Sequence, residues 1–322
     1  MLGEEATKTE ASTLPKNMIP LLVVVIVLAA LAYLAVSLWA GFDEVVKAVQ
    51  AVGAFGLLGV LATSLLSYAL GFVRWQGYLT MVGYTVSNIP SLSIFLGSFA
   101  LAMTPARSGE LVRGVFLRKY GVSFPASFAA FAAERVIDLL AMALLTVIGL
   151  WAFTPARPIV LLVVLVIVAV VIVLNLPKFL GTIRAWAALK LPQKLSGFAT
   201  GLVDTALNFR QLFGLKGSSY GLAFGLLIVA LEGLGLYILL ASLGSDIGLF
   251  TALAIYGFSL LAGALSFLPG GVGGFEAAMI LLLTANGLAE AQAVAVTLLI
   301  RLCTLWFAVL LGIFVLPRVA QN

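Results

Sequence analysis

The chain lacks histidine altogether and contains one cysteine, Cys303, among its 322 residues. Without histidine, neither a His/Cys zinc site nor a histidine-based catalytic triad can form. A single thiol cannot make an intramolecular disulfide. Charge is also scarce, since Asp, Glu, Lys and Arg together make up 10% of the residues. We therefore expect no metal, no cofactor and no catalytic residue, although an Asp/Glu site for Mg²⁺ stays open, and we expect the protein not to be an enzyme.

Hydrophobic side chains make up 63% of the chain. This share exceeds the roughly 45–50% of average proteins and is typical of a protein with several membrane spans. A span needs about 20 apolar residues, and six runs of this length or longer lie at 18–40, 53–73, 123–153, 158–176, 219–243 and 289–316. The run at 18–40 follows a polar tail at 1–17 and is too long for the core of a signal peptide, so we expect it to be retained as the first span.

Two further apolar regions, 91–120 and 248–285, are interrupted by helix-breaking residues. A proline stands within Thr104–Glu110 in the first region, and a proline with four glycines stands within Leu268–Glu276 in the second. Such residues end helices, and irregular backbone at membrane depth is tolerated only where protein or a wet cavity covers it. We therefore predict a broken helical hairpin in each region, either re-entrant or fully spanning.

The two broken regions also repeat each other. Three identities recur at a constant offset of 166 residues: Glu110 with Glu276, Gly121 with Gly287, and Arg135 with Arg301. We therefore divide the chain into a first repeat at 53–153 and a second at 219–316, joined by a linking span at 158–176. Paired interruptions in two halves of a membrane protein are the best sequence indication of a transporter site. The alternative is that any helical bundle shows some pseudo-periodicity.

Positive charge indicates the orientation of the chain. The segment 177–218 carries six cations against the single acid Asp204: Lys178, Arg184, Lys190, Lys194, Arg210 and Lys216. By the inside-positive rule this segment is cytoplasmic, and counting spans from it places both termini in the cytoplasm. The span at 53–73 then runs inward and its counterpart at 219–243 outward, so the repeats are inverted. We expect 177–218 to be an amphipathic segment attracted to anionic lipid rather than to nucleic acid.

The predicted fold is therefore all-α. We expect a multi-pass protein of the cell membrane, with about six full spans and two broken hairpins arranged in inverted repeats.

Ionisable residues gather at the breaks and inside the spans, where each costs roughly 2.5–3.5 kcal/mol on insertion scales. Their spacing predicts helical ion pairs within Arg107–Arg113 and within Glu134–Asp138. Arginine suits bidentate recognition of phosphate, and glycine-rich helix starts let backbone N–H groups approach an anion. We therefore predict a substrate-binding set made of Arg107, Glu110, Arg113, Glu134, Arg135, Asp138, Gly270, Gly271, Gly273, Gly274, Glu276 and Arg301. The alternative for any one of the charged residues is a salt bridge that only holds helices together.

Arg74 and Trp75 stand at the inner end of a predicted span. A cation next to an aromatic side chain is typical of an anchor at headgroup level, and a contact with a lipid headgroup is the alternative.

The chain resembles the flippase-like membrane region first named from lysylphosphatidylglycerol synthases, also called multiple peptide resistance factors. The likeness covers roughly residues 55–316 and rests on Arg74-Trp75, Phe95–Phe99, Thr104–Arg113, Glu134–Asp138, Leu268–Glu276 and Arg301. Ala106 departs from the family pattern, because many relatives are expected to have glycine there.

The resemblance implies that the protein moves a lipid with a polar headgroup between leaflets, such as an aminoacyl-phospholipid or a polyprenyl-phosphate-linked sugar. No soluble synthase domain and no nucleotide-binding motif is visible, so we expect a separate synthase or glycosyltransferase to make the lipid. Transport would draw on the lipid gradient or on protons carried by Glu134, Asp138 or Glu232. Two alternatives stay open: a membrane-embedded enzyme that uses paired carboxylates on a lipid-linked substrate, and a non-transporting scaffold.

Reporter fusions test the predicted orientation. A reporter fused after Lys194 is expected to be cytoplasmic and one inserted near Asp246 external, because the span at 219–243 separates the two positions. Fusions to alkaline phosphatase and to a fluorescent protein measure the two sides. If both reporters lie on the same side of the membrane, the inverted-repeat prediction fails.

Overall fold

A computed structural model describes residues 42–149 and 193–321, together with the isolated position 165. The predicted tail at 1–17, the predicted span at 18–40, the predicted span at 158–176 apart from position 165, and the part of the basic segment before residue 193 lie outside the described residues. Within the described ranges every regular element is helical and no strand occurs. The all-α prediction is therefore confirmed.

Short connections join successive elements within each of the two described ranges. The α-helices of the described ranges are α1 (Phe42–Met81), α2 (Asn88–Ser98), α3 (Val112–Leu117), α4 (Phe124–Gly149), α5 (Gln193–Leu212), α6 (Leu215–Ser242), α7 (Leu249–Leu265), α8 (Gly274–Ala285), α9 (Glu290–Arg301) and α10 (Phe307–Gln321). Short 3₁₀ segments lie at Phe99–Leu101, Pro105–Leu111, Arg118–Tyr120 and Pro269–Gly271, and a π turn at Leu302–Trp306 joins α9 to α10.

Three of the described helices are long and apolar enough to cross a membrane. They are Val45–Met81, Leu215–Ser242 and the continuous helical stretch Glu290–Gln321. These helices cover the spans predicted at 53–73, 219–243 and 289–316. The protein is therefore a multi-pass membrane protein.

Helix α4 is also long enough to span, but its composition differs. Its 26 residues extend about 39 Å at the α-helical rise per residue, which exceeds a hydrocarbon core of about 30 Å. It carries Glu134, Arg135 and Asp138 in its middle. These charges need partners on neighbouring helices, since lipid offers none.

Both broken regions interrupt their helices at the proline motifs. The helical run from α2 ends at Leu101 and resumes at Pro105, while α7 ends at Leu265 and helical structure resumes at Pro269. The residue before each proline is extended, with φ and ψ of −74° and 153° at Thr104 and −75° and 152° at Leu268. This is the conformation that a following proline favours. The two breaks therefore share their local geometry.

The hairpins also end alike. Gly121 follows the 3₁₀ segment Arg118–Tyr120 with φ 79°, and Gly287 follows α8 with φ 93°. Left-handed glycine is a common way to end a helix, and these two glycines are one of the pairs at the 166-residue offset. The backbone at both ends of the hairpins therefore agrees with the proposed repeat, while the inversion of the repeats stays a prediction.

Two large hydrophobic clusters pack the interior of the described part of the chain. One contains Val60 of α1 and Ala141 of α4, and the other contains Trp75 of α1 and Ala133 of α4. Helices α1 and α4 thus pass from one cluster to the other along their lengths. The charged residues of α4 lie between Ala133, which packs in one cluster, and Ala141, which packs in the other. The polar side chains are therefore enclosed between the two clusters.

Gly312 lies where α10 crosses the 3₁₀ segment Phe99–Leu101. A Cβ atom at this position would clash with backbone atoms of Phe99 and Ala100, and forcing extra atoms into a packed contact costs about 1–3 kcal/mol. We expect Gly312→Ala to lower the midpoint of thermal unfolding in detergent, measured by size-exclusion chromatography of heated samples.

Gly201→Ala on α5 is the matched control. A Cβ atom there meets nothing within 4 Å, and alanine is more favourable than glycine in a helix by roughly 0.5–1 kcal/mol. The control midpoint should stay unchanged or rise. Equal midpoints for the two variants would show that the crossing at Gly312 tolerates a side chain.

Candidate functional site

Arg113 is the centre of a buried network of charged side chains. Its guanidinium donates from Nε to Ser98 Oγ (2.8 Å), from Nη1 to Glu134 Oε2 (3.0 Å) and from Nη2 to Glu110 Oε2 (2.7 Å). The side chain is 2% exposed, and its Cζ lies 4.4 Å from the ring centroid of Phe95. Because all three nitrogens are engaged, Arg113 neutralises two carboxylates and offers little to a ligand.

Arg74 and Trp75 belong to the same network, which corrects their predicted role as an interfacial anchor. Arg74 Nη1 donates to Asp138 Oδ1 at 2.6 Å, and its Nε lies 3.8 Å from Glu134 Oε1. Both Arg74 and Trp75 are buried, and the Trp75 ring centroid lies 5.0 Å from the guanidinium of Arg113. The physical reason is charge balance: the carboxylates of α4 need a second cation, and α1 supplies it.

Arg135 is more open than these two arginines. Its Nη2 lies 3.0 Å from Asp138 Oδ2 and 4.0 Å from Glu110 Oε2, and its side chain is 25% exposed. Its Nε is buried without a hydrogen-bond partner among the described residues. Arg135 pairs with Asp138 as the helical spacing predicted, yet it retains donor capacity that faces a cavity.

Arg107 is the most exposed arginine of the network. Its side chain is 42% exposed, and its closest ion-pair contact is 3.7 Å, from Nη1 to Glu110 Oε1. That oxygen is buried without a hydrogen-bond partner in the described part of the chain. The backbone of Arg107 adopts φ 54°, which is uncommon for a residue other than glycine. The break thus presents a loosely paired cation.

The second copy is tighter than the first. Arg301 Nε donates to Glu276 Oε1 at 2.7 Å and Nη2 to the carbonyl oxygen of Gly270 at 3.2 Å. Glu276 Oε2 accepts the backbone N–H of Gly273 at 2.6 Å, so this carboxylate caps its own helix α8. The guanidinium of Arg301 also lies 3.8 Å from the ring centroid of Phe275. The N–H group of Gly273, predicted to face an anion, is therefore already used by Glu276.

The predicted glycines have different surroundings. Gly270 and Gly271 line a cavity. A Cβ at Gly271 would meet the backbone of Gly263, and one at Gly274 would meet Ser266 and a carbonyl oxygen of α7. Glycine is therefore required at these last two positions by close packing of the break against α7, independently of any ligand.

The two copies pair equivalent residues. Arg135 lies 4.0 Å from Glu110, and Arg301 lies 2.7 Å from Glu276. In each copy the partners are 25 residues apart, and they come from the broken region and from the helix that follows it. The repeat read from the sequence thus corresponds to a repeated contact in space.

Two adjoining cavities lie beside the network. The smaller, of about 80 Å³, is lined by most of the predicted charged set together with Arg74, Ser67 and Tyr68. The larger, of about 270 Å³, has mainly apolar walls that include Met142 and Leu260. The cavities share seven lining residues: Arg107, Arg135, Asp138, Ile228, Glu232, Leu260 and Arg301. A charged chamber therefore opens into an apolar one.

Glu232 lines both cavities but was not in the predicted binding set. Its Oε2 accepts the hydroxyl of Tyr256 at 3.1 Å, and its Oε1 lies 3.4 Å from Ser67 Oγ. A carboxylate in an otherwise apolar span was a usable signal. The neutral residues Ser67, Tyr256 and Ser98 gave no comparable signal, because hydroxyls are common in membrane helices.

Fold and site define a multi-pass helical membrane protein with an ionised chamber inside it. The chain belongs to the family of the lysylphosphatidylglycerol synthase transmembrane region, whose model matches residues 21–312. This confirms the resemblance drawn from the motifs.

Similar proteins come from archaea. A UPF0104 membrane protein of Pyrococcus horikoshii is 24% identical over 303 residues, covering 85% of this chain and 90% of that protein. A UPF0104 membrane protein of Methanothermobacter thermautotrophicus is 24% identical over 323 residues, covering 91% and 94%. The glycosyltransferase AglD of Haloferax volcanii is 26% identical over 120 residues, which are 37% of this chain and 19% of AglD.

Arg113 and Arg135 should differ in their effect on stability. Arg113→Gln leaves two buried carboxylates short of a cation, and removing one partner of a buried pair costs about 3–5 kcal/mol. Arg135→Gln should cost less, because Asp138 keeps Arg74 as a partner. Midpoints of thermal unfolding in detergent measure both.

A double variant checks the cause of the loss. Arg113→Gln combined with Glu110→Gln removes one of the stranded charges, so part of the stability should return, as a double-mutant cycle measures. Equal losses for Arg113→Gln and Arg135→Gln, or no recovery in the double variant, would contradict the central place of Arg113.

Proposed function

We propose that the protein is a flippase-like transporter that moves a phosphate-bearing lipid between the leaflets of the cell membrane. The observation that carries the proposal is the junction of a charged chamber with an apolar one at Arg107 and Arg135. Such a junction suits the phosphodiester of a lipid, where a negative charge adjoins apolar carbon atoms. An aminoacyl-phospholipid and a polyprenyl-phosphate-linked sugar both contain such a phosphodiester.

Arg107 and Arg135 are the residues that bind the headgroup in this proposal. Arg74 and Arg113 are held by carboxylates, and Arg301 by Glu276 and a backbone carbonyl. Arg107 keeps an exposed side chain and Arg135 a partly exposed one, and the pairing of each guanidinium is incomplete. Arginine forms planar, bidentate hydrogen bonds with phosphate oxygens, so these two side chains form the phosphate clamp.

The cavities admit a headgroup rather than a whole lipid. Each is smaller than the roughly 300 Å³ at which small-molecule sites begin. The acyl or prenyl chains therefore stay in the bilayer while the polar group crosses through the charged chamber. This division removes the main barrier to lipid exchange between leaflets, which is the dehydration of the charged headgroup in hydrocarbon.

The architecture we propose for this activity has about six full spans, two broken hairpins and two inverted repeats, with both termini in the cytoplasm. Inverted repeats place a site at their interface and allow alternating access by rocking of one repeat against the other. The repeated Glu–Arg contact supports this arrangement. The family description and the name of AglD point to enzymes of lipid and sugar transfer, so a separate synthase or glycosyltransferase is the proposed partner.

Reconstitution into liposomes tests the activity. The probes are fluorescent phosphatidylglycerol and a fluorescent short-chain polyprenyl phosphosugar, with fluorescent glucosylceramide as a lipid without phosphate. We expect one of the two phosphate-bearing probes to become accessible to a membrane-impermeant quencher from the opposite leaflet. Hydrogen bonds to charged groups contribute about 1.5–3 kcal/mol, so Arg107→Gln and Arg135→Gln should each slow the movement about tenfold or more.

Arg318→Gln is the matched control, since Arg318 is an exposed arginine near the end of α10, and it should move lipid at the wild-type rate. Movement of glucosylceramide as fast as the phosphate-bearing probes would contradict the phosphate clamp. A probe whose mass changes would identify an enzyme instead, and an unmoved, unchanged probe would leave the scaffold as the explanation.

A further inference from the structure

Glu232 differs from the other carboxylates of the chamber in its partners. Glu110, Glu134, Asp138 and Glu276 each have an arginine nitrogen within 3.0 Å. For Glu232, no lysine or arginine nitrogen of the described residues lies within the 4.0 Å of an ion pair. An ionised carboxylate without a nearby cation is costly inside a membrane protein.

The hydroxyls around Glu232 fit a protonated carboxyl group. Ser67 Oγ lies 2.8 Å from the carbonyl oxygen of Ser64 and 3.4 Å from Glu232 Oε1. A serine hydroxyl has one proton to donate, and the shorter contact uses it. Ser67 Oγ can therefore accept a hydrogen bond from Glu232 Oε1, while Tyr256 donates to Oε2. Glu232 Oε1 can therefore carry a proton that is hydrogen-bonded to Ser67 Oγ.

Charge balance connects this proton to the ligand. The network contains five arginines and five carboxylates: Arg74, Arg107, Arg113, Arg135 and Arg301 with Glu110, Glu134, Asp138, Glu232 and Glu276. With all of them ionised the net charge is zero. With Glu232 neutral it is plus one, which matches the single negative charge of a lipid phosphodiester.

We propose that Glu232 is a proton-binding site and that one proton crosses the membrane together with each lipid phosphodiester. This inference rests on the transport function proposed above. The proton binds Glu232 Oε1 from water on one side of the membrane and returns to water on the other side. Arg107 is the shared element, because it lines both cavities and can face either Glu232 or the phosphate. Phosphate bound at Arg107 adds a negative charge to the cavities that Glu232 lines, so the carboxyl group takes up a proton.

The groups that face Glu232 support this linkage. Four charged residues that line its cavities are already paired with one another or with their neighbours: Arg74, Arg113, Glu110 and Glu134. The other charged or titratable groups that line these cavities are Tyr68 of α1, Arg107 of the break, Arg135 and Asp138 of α4, Tyr256 of α7 and Arg301 of α9. Asp138 is held by two arginines and Arg301 by Glu276. Glu232 is therefore the carboxylate of this group whose charge can change without breaking an ion pair.

A proton fits this position better than a sodium ion. A hard cation requires several oxygen ligands around it, whereas Glu232 has hydroxyl oxygens only from Ser67 and Tyr256 within hydrogen-bond distance among the described residues.

Infrared spectroscopy tests the proton site without requiring transport. On acidification, purified wild-type protein should gain the C=O stretching band of a buried protonated carboxylic acid, and Glu232→Gln should lack it. The control Glu290→Gln, at an exposed position in the first turn of α9, should keep the band. If the spectra of Glu232→Gln and wild-type protein contain the same carboxylic acid bands, the proton site is overturned.

Transport in liposomes tests the coupling, with the phosphate-bearing probe that the wild-type protein moves. Because one pH unit corresponds to a tenfold ratio, an imposed difference of one unit should accumulate the probe about tenfold in the leaflet facing the alkaline side. Glu232→Gln should only equalise the probe between leaflets, whereas Glu290→Gln should behave as wild type.

The outcomes separate the two proposals. Wild-type protein that equalises the probe regardless of pH would leave the transport function standing and overturn the coupling. Accumulation that follows a sodium gradient instead of a pH gradient would overturn the proton as the coupled ion. Wild-type protein that moves neither phosphate-bearing probe would end the transport proposal and the coupling with it, while the infrared comparison would still decide whether Glu232 binds a proton.

Discussion

A guanidinium group in the membrane interior must meet a carboxylate within hydrogen-bond reach, and the arrangement of the helices around the chamber depends on this requirement. Arg113 pairs with Glu110 inside the first broken region and connects this region to α4 through Glu134, and Arg74 connects α1 to α4 through Asp138. Each ion costs several kcal/mol to desolvate before its partner compensates. Hydrophobic packing is non-directional, so the charged contacts set the register in which these helices meet.

Both copies of the repeat contain a glutamate–arginine contact, but the contact is close in the second copy and loose in the first. In the second copy Glu276 binds both Arg301 and the backbone N–H of Gly273, which closes the break. In the first copy Glu110 is drawn toward Arg113, and the equivalent arginine, Arg135, remains 4.0 Å away. The extra arginine at position 113 therefore releases Arg135 toward the chamber. One additional pair thus distinguishes the first copy of the contact from the second.

Local signals in the sequence were enough for the breaks and for the ion pairs within one helix. Proline and left-handed glycine act on their immediate neighbours, and the spacing of Arg135 and Asp138 brings them to 3.0 Å without help from other helices. The contact of Arg74 with Asp138 joins residues 64 positions apart, and no local pattern specifies it. The pair Arg74-Trp75 has the same sequence whether it lies at the headgroup surface or in a buried network. For this reason the sequence predicts Arg74 and Trp75 at the membrane surface, whereas the structure buries both. The surroundings of Glu232 escaped prediction for the same reason, since Ser67 is 165 residues distant.

The charge count explains how coupling could be strict without a tight binding site. An empty chamber with ionised Glu232 is neutral, and so is a chamber that holds both a proton and a phosphodiester. A chamber with the phosphodiester alone carries one negative charge, and one with the proton alone carries one positive charge. Because net charge in a low-dielectric interior is expensive, the two neutral forms would be the ones that reorganise in the proposed exchange between inward-facing and outward-facing states. The same requirement that fixes the helices around Arg113 would then select which ligands are allowed to cross.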